Sequence, residues 1–151
     1  MLLQHSPVKK TANSTTISVT VTNGASGTVS SGATVNLYET AAAVSGGSPK
    51  YSQVTDASGK AKFTVAYLAK YYIIVKNGTA ANYYNGYIPV GIFANQTDIN
   101  DSPAQSPPAV VGGARFSDTN GDGVINPSDF VTVPSIDVTE NANTNFSVVI
   151  Y

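Results

Sequence analysis

Thr16-Ile17-Ser18-Val19-Thr20-Val21-Thr22 decides the fold. Successive side chains of an extended chain point to opposite faces, so Ile17, Val19 and Val21 share one side and Ser18 and Thr20 the other. That period of two is the mark of a strand with one face in a core and one toward water. It ends at Asn23-Gly24, a pair suited to the positive φ angles of tight turns. The same alternation recurs over 33–39, with Val35 and Leu37 inward, and 51–55 starts a third strand. After the turn Asp56-Ala57-Ser58-Gly59 it returns over 60–67, where Phe63 and Val65 point one way.

Residues 71–76 break the alternation with the run Tyr71-Tyr72-Ile73-Ile74-Val75, which reads as a central strand buried on both faces. Ile88, Val90 and Ile92 alternate over 88–93, and 135–139 and 146–151 are the last strand candidates. Seven or eight short strands at spacings of roughly ten residues predict an all-β, Greek-key β-sandwich of about seven strands. Between them, 41–50 is a Gly/Ser/Pro loop expected to be mobile, and 95–114 is irregular, with Pro103, Pro107, Pro108 and Gly112-Gly113.

Composition agrees with this. Charged residues make up 11% of the chain, against about 25% in an average soluble domain. Polarity comes instead from Ser, Thr, Asn and Gly, which favour strands and turns over helices. At 151 residues the chain suits one domain with its own core. The reading assigns 1–13 to a flexible leader and 14–151 to a single β-sandwich. A net charge of −1 with scattered lysines and one arginine, Arg115, offers no basic patch for nucleic acid. No run of about 18 apolar residues is present, so no membrane-spanning helix is expected. The chain has no cysteine, which excludes disulfides, thiolate metal sites and a cysteine nucleophile together.

The segment with the sharpest chemistry is Asp118-Thr119-Asn120-Gly121-Asp122-Gly123-Val124-Ile125-Asn126-Pro127-Ser128-Asp129. Calcium is a hard cation that takes six to eight oxygen ligands, and the EF-hand loop supplies them from positions 1, 3, 5, 7, 9 and 12. Here those positions are Asp118, Asn120, Asp122, the Val124 carbonyl, Asn126 and Asp129. Position 6 must turn sharply with positive φ, and Gly123 meets that need. Ile125 at position 8 is the apolar anchor. Asp in place of Glu at position 12 shortens the arm by one methylene, and leaves open whether that ligand is monodentate or bidentate. Calcium is therefore the expected cofactor. Its role is expected to be structural, with calcium-triggered switching as the alternative. Three converging carboxylates would repel one another without a cation. Asp98, Asn100 and Asp101 form a second acidic stretch, read either as further ligands or as an ordinary solvated turn.

The pattern DxNxDGxINxxD over 118–129 resembles the dockerin variant of the motif. Dockerins carry two such segments, each followed by a helix that binds cohesin; here there is one. Asn126-Pro127 suits a helix start, but Val131-Thr132-Val133 favours strand and Pro134 stops a helix, so a single helical turn is expected. Over 17–78 the chain resembles the carboxypeptidase-regulatory-like and Cna-B-like families. The elements that carry this are Gly32-Ala33-Thr34-Val35, Thr55-Asp56-Ala57-Ser58-Gly59-Lys60 and Tyr71-Tyr72-Ile73-Ile74-Val75. The resemblance implies a sandwich of transthyretin-like topology and an accessory role without activity.

Catalysis is not expected. His5 is the sole histidine and sits in the leader, and the only glutamates, Glu39 and Glu140, lie in separate parts of the chain. Tyr83, Tyr84 and Tyr87, with Asn82 and Asn85 between them, are the candidate ligand-binding surface: tyrosine faces beside amides suit sugar rings. The alternative is that these tyrosines wall a loop. The expected protein is a secreted or cell-surface module of bacterial type, anchored through a removed N-terminal segment. It would act in adhesion or as a scaffold, or else bind carbohydrate. The partner classes are calcium and a polysaccharide or another surface protein.

Overall fold

The computed structural model describes residues 13–151; the segment read as a leader lies outside them save for Asn13, and so does His5. β1 (Thr15–Asn23) buries Ile17, Val19 and Val21 completely, as the alternation predicts. Full burial of such side chains contributes about 1.5–3 kcal/mol each, which makes β1 the spine of one sheet. It pairs antiparallel with β4 (Lys60–Val65) and parallel with β10 (Asn143–Ile150), giving the order β10-β1-β4.

The facing sheet runs β3 (Tyr51–Val54), β2 (Thr34–Tyr38), β5 (Lys70–Asn77). The far edge of β5 is divided between two short strands. β6 (Ala80–Ala81) takes Lys76 and Asn77, and β9 (Ser135–Asp137) takes Lys70 to Tyr72. The inward side chains of both sheets form one core around Val19, Leu37, Phe63, Ile73, Ile136 and Ile150. The protein is an all-β sandwich, and the chain crosses between its sheets at β1–β2, β3–β4, β4–β5 and β9–β10. As the apolar run 71–75 predicts, β5 is buried on both faces: Tyr71, Ile73 and Val75 face the core and Ile74 the other side.

Two polar devices hold β5. At its start the Tyr71 hydroxyl donates to the Ala66 carbonyl (2.5 Å), while the Ala66 N–H donates to the Tyr51 hydroxyl (2.9 Å). The two rings meet edge to face at 6.0 Å. This is the tyrosine-corner arrangement of β-sandwiches, in which a strand-initial tyrosine pins the preceding crossover. Midway along the strand, the buried Asn82 side chain fills the gap between β6 and β9. Its Nδ2 donates to the Ile73 carbonyl (3.1 Å) and its Oδ1 accepts from Val75 N–H (2.9 Å). One side-chain amide thus serves two of the ladder groups that no strand reaches, while Pro134 and the Asn82 N–H serve the other two.

Three segments differ from expectation. The supposed loop 41–50 contains a helix, α1 (Ala41–Gly46). Thr40 caps it by accepting from Ala43 N–H, and Gly47 ends it at φ 67°. Three alanines between a good cap and a left-handed glycine outweigh the surrounding Ser and Gly. The irregular stretch 95–114 contains α2 (Gln96–Asp101), where Asn95 accepts from Asp98 N–H and Asp98 accepts from Ala94 N–H. Finally, β7 (Pro89–Ile92) is phased opposite to the prediction. Pro89, Gly91 and Phe93 are buried, while Val90 is 41% exposed and Ile88 and Ile92 are half-buried. β7 leaves the sandwich to pair only with β8 (Ala114–Phe116), through an irregularity between Pro89 and Gly91. Alternation gives a period but not a phase, and here Phe93 takes the interior. Among the described residues no helix is long and apolar enough to cross a membrane.

Two outcomes are expected. Asn82→Ala strands a buried N–H and a buried carbonyl at about 1–3 kcal/mol each, so chemical unfolding is expected to show a loss of roughly 2–5 kcal/mol; a loss below about 1 kcal/mol would refute the bridging role. Burial, then the nearby Tyr51 hydroxyl, push the Tyr71 phenol from 10.0 up to about 12. A raised folded value means stability is complete below the unfolded value and is lost as pH climbs from 10.0 through about 12. Denaturant midpoints across that range fall less steeply in Tyr71→Phe than in the parent if this holds.

Candidate functional site

Between β6 and β9 the chain makes one long excursion, 82–134, which holds both the tyrosines and the acidic loop. It begins with a two-residue turn. Tyr84 and Tyr87 exchange backbone hydrogen bonds (2.9 and 3.0 Å) around Asn85 at φ 46° and Gly86 at φ 111°. Asn-Gly with two positive φ angles is the preferred sequence of such turns. The dipeptide was available to sequence reasoning, but here it lay hidden inside an aromatic cluster.

The three tyrosines do not form a shared flat platform. The Tyr83 hydroxyl donates to the Val131 carbonyl (3.0 Å). That of Tyr84 is shared by the carbonyls of Thr79 and Tyr151, and burial raises its pKa. Tyr87 packs between Phe116 (ring centres 5.4 Å apart) and Phe130 (4.9 Å, edge-on), and Tyr84 meets Phe116 edge-on at 5.3 Å. Tyr84, Tyr87, Phe116 and Phe130 make a small aromatic cluster that walls the excursion. Asn82, read from sequence as a surface amide, is instead the buried bridge on β5.

The acidic loop is fastened to this turn. Val131 N–H donates to the Gly86 carbonyl (2.9 Å), and a Cβ on Gly86 would lie 2.5 Å from the Phe130 ring. Gly86 therefore serves twice, supplying positive φ and leaving room for the ring. Within the loop, Asp118 accepts from the N–H groups of Gly121 (2.8 Å) and Gly123 (2.9 Å). Asn120 Oδ1 accepts from Asp122 N–H (3.1 Å), and Asp122 Oδ1 accepts from Val124 N–H (2.9 Å). Gly123 has φ +83° and Ile125 is buried at 3% exposure, while the Val124 side chain faces out. Asn126 and Asp129 cap a single 3₁₀ turn reciprocally, with Pro127 at its start. The turn then gives way to extended chain, matching the one-turn expectation for 126–134.

Asp129 is the most enclosed member, 1% exposed. Its Oδ1 accepts from Thr119 N–H (2.9 Å), Asn120 N–H (3.4 Å) and the Thr119 hydroxyl (3.3 Å); its Oδ2 accepts from Asn126 N–H (3.0 Å). The Asn126 N–H, with those of Asn120 and Thr119, outweighs burial and holds this carboxyl below its ordinary 3.8. The carboxylates of the loop are thus satisfied by its own backbone, which relieves the repulsion expected of them.

Do these residues fit a hard cation? Among the described residues no three His, Cys, Asp or Glu side chains gather as a metal-holding group. A cation in this loop must therefore draw on amide and carbonyl oxygens as well as carboxylates, which is the mixed oxygen set calcium accepts. A carboxylate has about four lone-pair positions. Asp118 uses one on each oxygen, and Asp122 one on each, Oδ2 accepting from Asn120 Nδ2. Asp129 Oδ1 is taken by three donors, which leaves Oδ2 as its available oxygen and favours a monodentate role. The fit is met. Asp98 accepts from Ala94 N–H at the start of α2, and Asn100 accepts from Gln96, so that stretch is a short helix and not the solvated turn expected of it. No family model matches the chain, and no curated protein is significantly similar to it.

The depressed Asp129 value fixes a sign. A lowered folded pKa contributes stability that is present above the unfolded value and lost as pH falls through the folded one. Acid titration of the parent is expected to lose stability below pH 3.8 more steeply than Asp129→Asn, which starts less stable at neutral pH. Parallel acid profiles would show that the carboxylate is not held by these N–H groups.

Proposed function

We propose that the chain is a non-catalytic β-sandwich module of a secreted or cell-surface protein, in which one calcium ion at 118–129 clamps the 82–134 excursion. The observation that carries this reading is the backbone of the loop. Gly123 has positive φ at position 6, and Ile125 is buried at position 8. The position-1 carboxylate accepts N–H groups from positions 4 and 6, and the position-12 carboxylate sits beneath the first turn. Asp118, Asn120, Asp122, the Val124 carbonyl, Asn126 and Asp129 would hold the ion, some of them through water. Bound there, it would cross-link both ends of the loop and neutralise its charge. The residues' own task is to keep their oxygens aimed inward by hydrogen bonds and to anchor the loop through Ile125. Such a clamp suits an adhesion or scaffold role, since it stiffens a surface excursion without adding chemistry.

Binding to the folded state alone stabilises by RT ln(1 + [L]/Kd), about 2.7 kcal/mol at a hundredfold excess over Kd. For a chain of this size that is roughly 5–10 °C in melting temperature. A melt in calcium against a melt in chelator measures it directly. Asp122→Ala, which leaves the sandwich core untouched, is expected to abolish the calcium-dependent shift whatever it does to the baseline. Identical midpoints with and without calcium would overturn the reading.

A further inference from the structure

Beyond the acidic loop, the outer face of the β3-β2-β5 sheet carries a cavity of about 360 Å³, within the roughly 300–1,000 Å³ of small-ligand sites. Its floor is Ile74 with Tyr38, one wall is Val44 of α1, and the opposite wall is Tyr83 and Val133 of the excursion. Ser45, Asn85 and Lys76 stand around it. We propose that this cavity binds a short acidic saccharide, with a uronate carboxylate on Lys76 and a sugar ring against the tyrosines.

Four observations carry the proposal, and none depends on calcium. First, α1 is well capped at both ends yet buries none of its residues. Its apolar side chain Val44 is half-buried and lines the cavity, while α1 as a whole rests on β2 and β5. Second, the lining is mixed in the way sugars need. Tyrosine and aliphatic surfaces suit C–H faces, while a hydroxyl and an amide suit the ring hydroxyls. Third, the exposed Ser45, Asn85 and Lys76 side chains make no hydrogen bond or ion pair among the described residues, so they are open to a ligand. Fourth, Lys76 is the only charged residue lining the cavity, so its field selects an anion. A neutral glycan would leave that charge unused, and an extended acidic peptide would find one cation and no strand edge to pair with. The site is also preorganised: the Tyr83 hydroxyl is tied to Val131, and Asn85 is fixed in its turn.

This differs from the surface expected of Tyr83, Tyr84 and Tyr87 together. Only Tyr83 reaches the cavity; Tyr84 and Tyr87 are spent on the aromatic cluster.

The test is titration of the full chain with a uronate disaccharide, its neutral counterpart and an acidic peptide, followed by calorimetry and by backbone amide shifts. The uronate sugar is expected to bind with Kd of about 1 mM or tighter, moving the amides of 44–47, 74–76 and 83–85. Lys76→Met should weaken it about tenfold, and Asn85→Gly, which keeps the turn, should weaken it severalfold. Melting curves on both variants verify that the fold is intact. Equal binding of the neutral sugar, stronger binding of the peptide, an unaffected Lys76→Met, or no binding of any probe would each overturn the proposal. The calcium dependence of the melt is read separately: no melting shift with the uronate sugar still bound overturns only the calcium reading, and a melting shift without uronate binding overturns only this proposal.

Discussion

The far edge of β5 is the constraint on which the rest of the molecule depends. A central strand buried on both faces must still pair its backbone on both edges, because an unpaired buried N–H or carbonyl costs about 1–3 kcal/mol. One edge is met by β2 over Thr34 to Tyr38. The other is met piecemeal, by β9 at one end, β6 at the other, and Asn82 with Pro134 between them. The chain leaves this edge at β6 and returns to it at β9. Everything from 82 to 134 is therefore a closed loop with both ends fixed on one strand.

A closed loop of that length needs an interior of its own, and it has a modest one. Phe93, Ile99 and Ile125 are buried within it, and four aromatic rings meet at the turn. The contact of Phe130 over Gly86 and the Val131–Gly86 hydrogen bond draw the end of the loop back to its beginning. The stretch 118–129 is held by carboxylate-to-amide hydrogen bonds together with the single buried anchor Ile125. Apart from those of Asp129, which is buried, these bonds lie at or near the surface, so this part of the excursion relies more on polar contacts than its aromatic end does.

The sandwich was largely legible from residues. β1, β2 and β4 show the clean period of two, and the five-residue apolar run marked β5, because burial on one or two faces writes itself directly into hydrophobic pattern. The excursion was less legible, for a physical reason. Its order comes from single contacts, such as Asn82 on β5, Asp98 at the α2 cap and Gly86 under Phe130, and such contacts leave no periodicity. α1 was missed because caps, not an apolar stripe, define it. Within 118–129 the spacing foretold the turn at Gly123 and the anchor at Ile125. It did not foretell that Asp129 would be the enclosed carboxylate, since that follows from how the 3₁₀ turn folds under 118–120.

The two surface features meet in one short segment, 130–134. Phe130 and Val131 join the acidic loop to the tyrosine turn, Val131 holds the Tyr83 hydroxyl, Val133 lines the cavity, and Pro134 accepts from Ile73 N–H on β5. Order in the loop is thereby passed through a few backbone hydrogen bonds to one wall of the cavity, while the floor and the α1 wall belong to the sandwich and need none of it. A cavity with one wall from the sheet and one from the excursion has its floor set by the sandwich and its width set by the segment 130–134.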